Sequence, residues 1–160
     1  MIQEVLNGRA VSFTIRNKIA DVFPELPLGV NERLTLCVHL RGNQLATVIS
    51  PCAPTLDSDE KVKERFCSDL NNALASIPRD DKVIFLGDFN TQTDDHEIWS
   101  GTIDKNGMGK ANANTILLLT KCAQTSLIMR NTIFCQKKRL KITWRHPRLE
   151  HWHPLDYIIV

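Results

Sequence analysis

Asp88 and Asn90, two positions apart at the end of Val83-Ile84-Phe85-Leu86-Gly87, are the residues whose types and spacing best suit chemistry. The four apolar residues read as a fully buried strand, and Gly87 permits a sharp exit. A carboxylate presented at a strand end can hold a cation or orient water. An amide two residues on points to the same face of an extended chain. A plainer reading fits equally well: Asp and Asn satisfy nearby backbone groups, and the strand ends in an Asx turn. The segment alone does not separate the two.

Charge bears on what such a carboxylate would face. The formal net charge is +2 over 160 residues, a weak argument for a polyanionic partner. The distribution says more. Arg130, Lys137, Lys138, Arg139, Lys141, Arg145 and Arg148 stand near the end of the chain against Glu150, whereas the stretch from Asp57 to Glu97 is rich in acids. This asymmetry is expected where metal chemistry meets phosphate binding. A solvated basic face accounts for the same charges without any partner.

Other chemistries are poorly served. Cys37, Cys52, Cys67, Cys122 and Cys135 are odd in number and contain no C-x-x-C pair, which argues against a disulfide framework and a zinc cage. His146, His151 and His153 are loosely spaced for a metal and read as solvated or phosphate-touching residues of a basic loop. Asp94-Asp95-His96-Glu97 reads as an exposed acidic loop. No run of ~18 apolar residues predicts a membrane span, and Met1 to Ala10 lacks a signal-peptide core. An intracellular chain is expected.

The elements that must position Asp88 follow from periodicity. Val11 to Ile15 and Leu34 to Leu40 read as half-buried strands, with Gly42-Asn43 turning the latter into a return strand, Gln44 to Ser50. Asp57 and Glu60 form a capping-box pattern before a helix with a Val62, Phe66, Leu70, Ala73, Leu74, Ile77 stripe, stopped by Pro78. After the strand Lys82 to Leu86 comes a long loop to about Ala113. A second helix, Asn114 to Ser126, and strands Leu127 to Phe134, Lys141 to Trp144 and Leu155 to Val160 complete the reading. One α/β domain of mixed sheets with helices packed outside is predicted.

Several segments together carry a resemblance. They are Ile49-Ser50-Pro51-Cys52-Ala53-Pro54-Thr55, Gly87-Asp88-Phe89-Asn90, Gly109-Lys110-Ala111-Asn112-Ala113-Asn114, Asn131-Thr132-Ile133-Phe134, Thr143-Trp144-Arg145-His146-Pro147 and His153-Pro154-Leu155-Asp156-Tyr157-Ile158. In this order the chain resembles the endonuclease/exonuclease/phosphatase superfamily, with its DNase I-like layered α/β sandwich. More narrowly, it is similar to the endonuclease domain of RTE-type (BovB-like) non-LTR retrotransposons. The resemblance implies phosphodiester hydrolysis by in-line attack of water, assisted by magnesium, on DNA. It implies that Asp88 orients and deprotonates the water and that Asn90 holds phosphate and water in line. Asp156 would correspond to the carboxylate that orients a catalytic histidine, and Thr143 to a hydroxyl lining the phosphate site. Lys137, Lys138, Arg139, Lys141, Arg145 and Arg148 would contact the nucleic-acid backbone. Trp144 and Trp152 would pack in the core or stack on a base, with packing favoured by their place in alternating strands.

Departures from the family pattern shape the functional expectation. The chain is expected to be a partial domain over residues 1–160, beginning after the family's first strands and stopping before its final Ser-Asp-His. Glu4 is a poor match for the family's metal-ligand Glu. Cys52 stands where the family places a tyrosine, and a thiol is a weaker donor to phosphate than a phenol. Thr115 stands where relatives usually carry glycine. The metal site is therefore expected to be incomplete, with Asp88 and Asn90 beside it. The expected protein is an impaired remnant of a retrotransposon DNA endonuclease. The alternatives are a non-catalytic nucleic-acid-binding protein, or an active endonuclease if the missing parts are supplied. A nuclear location follows only from that ancestry.

Overall fold

A computed structural model describes residues 28–30, 33–39, 45–92, 97–148 and 150–160. The expected strand at Val11 to Ile15, the Gly42-Asn43 turn, Glu4 and the segment from Asp94 to His96 lie outside these residues. The chain divides into two compact units.

The first unit comprises residues 1–52 and 59–87 and is built on a mixed sheet. Strands β1 (Leu28–Val30), β2 (Arg33–His39) and β3 (Leu45–Ser50) follow one another in the sheet, with β1–β2 and β2–β3 antiparallel. The β2–β3 register extends from Leu34↔Ser50 to His39↔Leu45, as the hairpin reading predicts. Strand β4 (Lys82–Asp88) lies parallel to β3, from Ala46↔Lys82 to Ile49↔Phe85. Parallel neighbours need a long crossover, which helix α1 (Glu60–Ser76) provides. The short β1 was not predicted, because three residues are too few to show a period.

Two sequence expectations about this unit are corrected. The cap of α1 is Asp59, whose Oδ1 accepts the Lys61 N–H at 2.8 Å, rather than Asp57. Both residues are good caps, and the pattern alone could not choose between them. Strand β4 is also not fully buried. Phe85 is in the core, Val83 and Ile84 are half-buried, and Leu86 is exposed. Gly87 has no positive φ. A Cβ there would collide with the Pro51 carbonyl oxygen and ring, so glycine is required by close backbone approach instead of a turn.

The second unit comprises residues 53–58 and 88–160. Helix α2 (Ala113–Thr125) buries Leu118, Leu119 and Cys122. Phe89, Ile103, Met129, Tyr157 and Ile159 of the same unit are also buried. Strands β5 (Trp144–Arg145) and β6 (Trp152–His153) form a two-residue ladder, Trp144↔His153 and Arg145↔Trp152. Strand β7 (Asp156–Ile159) alternates cleanly, with Tyr157 and Ile159 inward and Asp156 and Ile158 outward.

Here too the periodicity misled. The expected strand from Leu127 to Phe134 pairs with β7 only at its start: Ile128 and Val160 exchange backbone hydrogen bonds, and Met129 bridges Ile159. It then turns into a 3-10 helix at Arg130–Thr132. Side chains replace the lost rungs. Asn131 accepts the Ile158 N–H on Oδ1 at 2.6 Å and donates Nδ2 to the Asp156 carbonyl at 3.3 Å, so its amide serves β7 as a neighbouring peptide would. Thr132 bonds back to the Met129 carbonyl, a local alternative to the ladder. The expected strand from Lys141 is likewise preceded by a 3-10 turn at Lys138–Leu140 and reduced to Trp144–Arg145.

Candidate active site

The site belongs to the second unit. Asp88 ends β4, and its carbonyl accepts the Ala53 N–H at 2.8 Å. The next residue, Phe89, donates its N–H to the Leu155 carbonyl at 2.9 Å, which brings the start of β7 alongside Asp88. One carboxylate oxygen, Oδ1, accepts the Asn90 N–H at 2.8 Å. Both readings of this segment therefore hold together. Oδ1 closes an Asx turn, and Oδ2 is the atom left for chemistry.

Asn90 does not share a strand face with Asp88. Its φ of 49° is left-handed, a conformation that Asn tolerates better than most residues. The side-chain Nδ2 donates to the Ala53 carbonyl at 2.9 Å, leaving Oδ1 as the acceptor it can offer. Asn112 donates to the Asn90 carbonyl at 3.3 Å, and the buried Asn114 donates to the Pro54 carbonyl at 2.8 Å. The two asparagines of the Asn112-Ala113-Asn114 motif thus tie the segments on either side of Asp88 to the start of α2.

The electrostatics set Asp88 apart. Burial pushes its carboxyl above the usual Asp value, the Asn90 N–H opposes this, and the negative charge of Asp156 pushes it up again. Asp156 itself is exposed. Its backbone N–H and that of Leu155 donate to Thr143 Oγ1 at 3.4 and 3.1 Å. Thr143 therefore holds the strand that carries Asp156, and its hydroxyl proton can still be donated outward.

Asp88 and Asp156 are two mutually repelling carboxylates, hard-oxygen groups whose repulsion a magnesium ion would relieve. Magnesium commonly takes one or two carboxylates and fills its remaining positions from substrate phosphate and water. Among the described residues no three His, Cys, Asp or Glu side chains converge as a closed metal cage. Cys52 is half-buried. Cys122 is buried in the core, and its thiol is pushed up to about 12 by that burial, which makes it inert rather than nucleophilic.

The basic residues differ in how far they are committed. Lys137, Lys138, Arg139 and Arg148 are exposed. Lys141 Nζ donates to the Asn106 carbonyl at 2.7 Å, and Arg145 pairs with Glu150 at 3.0 Å while lying over the Trp152 ring. Core packing, the expected role of the tryptophans, is overturned. Trp144 is 40% and Trp152 53% exposed, because the two-residue ladder that carries them is too short to bury a face.

Three contacts had no signal in the sequence. Gln92 Nε2 lies 2.6 Å from His153 Nδ1, a side-chain hydrogen bond that ties the loop after Asp88 to β6. These residues are 61 apart in sequence. Gln92 is also packed against Gly109, whose φ is +92°, and any side chain there would strike it. Thr115, the residue standing for the usual glycine, is fully buried. Its hydroxyl donates to the Gln92 carbonyl at 2.7 Å, accepts the Gln92 N–H at 3.2 Å and completes a capping box with Asn112. The substitution is absorbed into the structure.

No family model matches the chain. Its sequence is similar to craniofacial development protein 2 of Bos taurus, 29% identical over 158 residues, and of Tragulus javanicus, 34% identical over 160 residues. Each alignment covers 98% of this chain, which spans about a quarter of the relatives' length, 26% and 27% respectively. The structure is similar to an endonuclease/exonuclease/phosphatase family protein from Leptotrichia buccalis, with a TM-score of 0.46 and 17% identity. That match covers 79% of this chain and 41% of the other. Among the described residues no helix is long and apolar enough to cross a membrane.

Proposed function

We propose that this chain carries the phosphate-facing part of a magnesium-dependent DNA endonuclease site of retrotransposon descent, and that it binds nucleic acid while cleaving it very poorly. The observation that supports this reading is the pairing of Asp88 with Asp156 beside an exposed, acid-poor basic segment. Asp88 Oδ2 and Asn90 Oδ1 are acceptors suited to orient a water molecule, the Thr143 hydroxyl can donate to phosphate, and the exposed lysines and arginines supply backbone attraction. A bound magnesium ion would rest on the two carboxylates and neutralise charge developing on the phosphate.

The poor cleavage follows from the donor set. Two carboxylates with a thiol in place of the expected phenol leave the phosphate with few charge-stabilising partners, and losses within such a unit are strongly non-additive. The test is nicking of supercoiled plasmid with magnesium or chelator, alongside the Asp88→Ala variant and a duplex-binding measurement. We expect duplex retention that weakens steeply with salt and no difference in nicking between the two proteins. Robust magnesium-dependent nicking that is lost in Asp88→Ala would show a working enzyme. Absence of any duplex binding would sink the nucleic-acid reading itself.

A further inference from the structure

A cavity of about 320 Å³ opens beside Asp156 within the second unit. Its apolar side includes Phe134, Leu140 and Ile158, which are 61%, 65% and 44% exposed. Large apolar side chains are costly to leave in water, and their gathering around one concavity is more telling than scattered exposure would be. The polar lining includes Arg130, Gln136, Lys141 and Asp156.

The walls are pre-formed. Asn106 joins three segments: its N–H donates to the Thr132 carbonyl at 3.2 Å, its Nδ2 to the Ile133 carbonyl at 3.0 Å, and its own carbonyl takes Lys141 Nζ at 2.7 Å. A cavity held open in this way needs little ordering when a ligand enters. Charge selects the occupant. From Arg130 to Arg148 the sequence contains no Asp or Glu, and Lys137, Lys138 and Arg139 stand exposed near Leu140.

We propose that the cavity receives one unstacked base of a nucleic-acid strand, with the phosphates of that strand against Lys141 and Arg130. A nucleobase has two apolar faces for Phe134, Leu140 and Ile158, and a polar edge for the Gln136 amide and the Asp156 carboxylate. An apolar peptide side chain would fit the walls but gain nothing from the surrounding cations. This inference rests on the nucleic-acid reading above and adds a specific base subsite to it.

The experiment follows the methyl resonances of Leu140 and Ile158 in the full 160-residue chain during titration with deoxyadenosine monophosphate, and separately with inorganic phosphate. The nucleotide should shift both methyl groups saturably, and phosphate alone should leave them in place. Filling the mouth with Leu140→Trp or Ile158→Trp should weaken nucleotide binding about tenfold or more without moving the thermal midpoint, since both side chains are exposed. Equal shifts with phosphate alone would mean an anion subsite and overturn the base pocket, as would nucleotide affinity unchanged by either tryptophan. Duplex binding separates the two failures. If duplex is bound but the methyl groups ignore the nucleotide, the cavity proposal fails alone. If duplex is not bound at all, the nucleic-acid reading fails with it.

Discussion

Helices α1 and α2 show where this molecule is built tightly. Helix α1 is the longer, at 17 residues, yet it fully buries only Leu70 and leaves Val62 exposed. Helix α2 has 13 residues and buries five, two of them the polar Asn114 and Thr115. The α1 cap is a single Asp59 contact, while α2 opens with a reciprocal capping box whose Thr115 also grips Gln92. The lesson is that polar residues at the head of α2 do more than start a helix. They fasten the loop that follows Asp88, so the scaffold of the site and the core of the second unit are one construction.

The largest effect that sharpens this contrast should come from Leu119→Ala, which removes a fully buried side chain of α2 and is expected to cost about 3 kcal/mol. Val62→Ala in α1 should cost under about 0.5 kcal/mol. Chemical denaturation of both variants checks the pair, and equal losses would break the comparison. Next comes Thr115→Val, which keeps the shape and deletes the hydroxyl that serves Gln92 and Asn112. A loss of about 1–2 kcal/mol is expected.

A smaller effect should come from Asp88→Asn, with the opposite sign. Because the folded-state carboxyl titrates above its unfolded value, the folded protein holds the proton more tightly. Stability therefore falls as pH rises through that window just above the ordinary Asp range. A neutral amide at this position removes the penalty, so the melting temperature at pH 7 should rise by ~1–3 °C, and the gain should fade as pH drops below the usual Asp value. Asp156→Asn should lower the Asp88 pKa, which an NMR titration would read directly. The smallest expected change is Thr91→Val. Thr91 Oγ1 is buried with no hydrogen-bond partner, so its removal should be neutral or stabilising by under ~1 kcal/mol in the same denaturation assay.

Much of the scaffold was legible because its signals are local. The strand into Gly87-Asp88-Phe89-Asn90, the β2–β3 pairing, both helices and the final strand each depend on a few neighbouring residues. Thr143 and Asp156 were read from motif resemblance, and the structure joins them through the Leu155 and Asp156 amides. The misread elements share a different cause. Leu127 to Phe134 has the apolar content of a strand, but Asn131 and Thr132 spend their side chains on backbone groups that a ladder would otherwise use. Alternation placed Trp144 and Trp152 inside, yet burial needs a sheet long enough to cover a face.

By itself the sequence determined where most helices and strands lie and the uneven spread of acids and bases along the chain, since these follow from side-chain identity and short-range spacing. Tertiary structure alone decided that Asp88 feels Asp156, remote from it in sequence, and titrates upward. It also decided that Gln92 meets His153, and that Phe134, Leu140 and Ile158 gather around one cavity. Burial, electrostatic coupling and concavity are properties of how distant segments meet, and no local pattern encodes them.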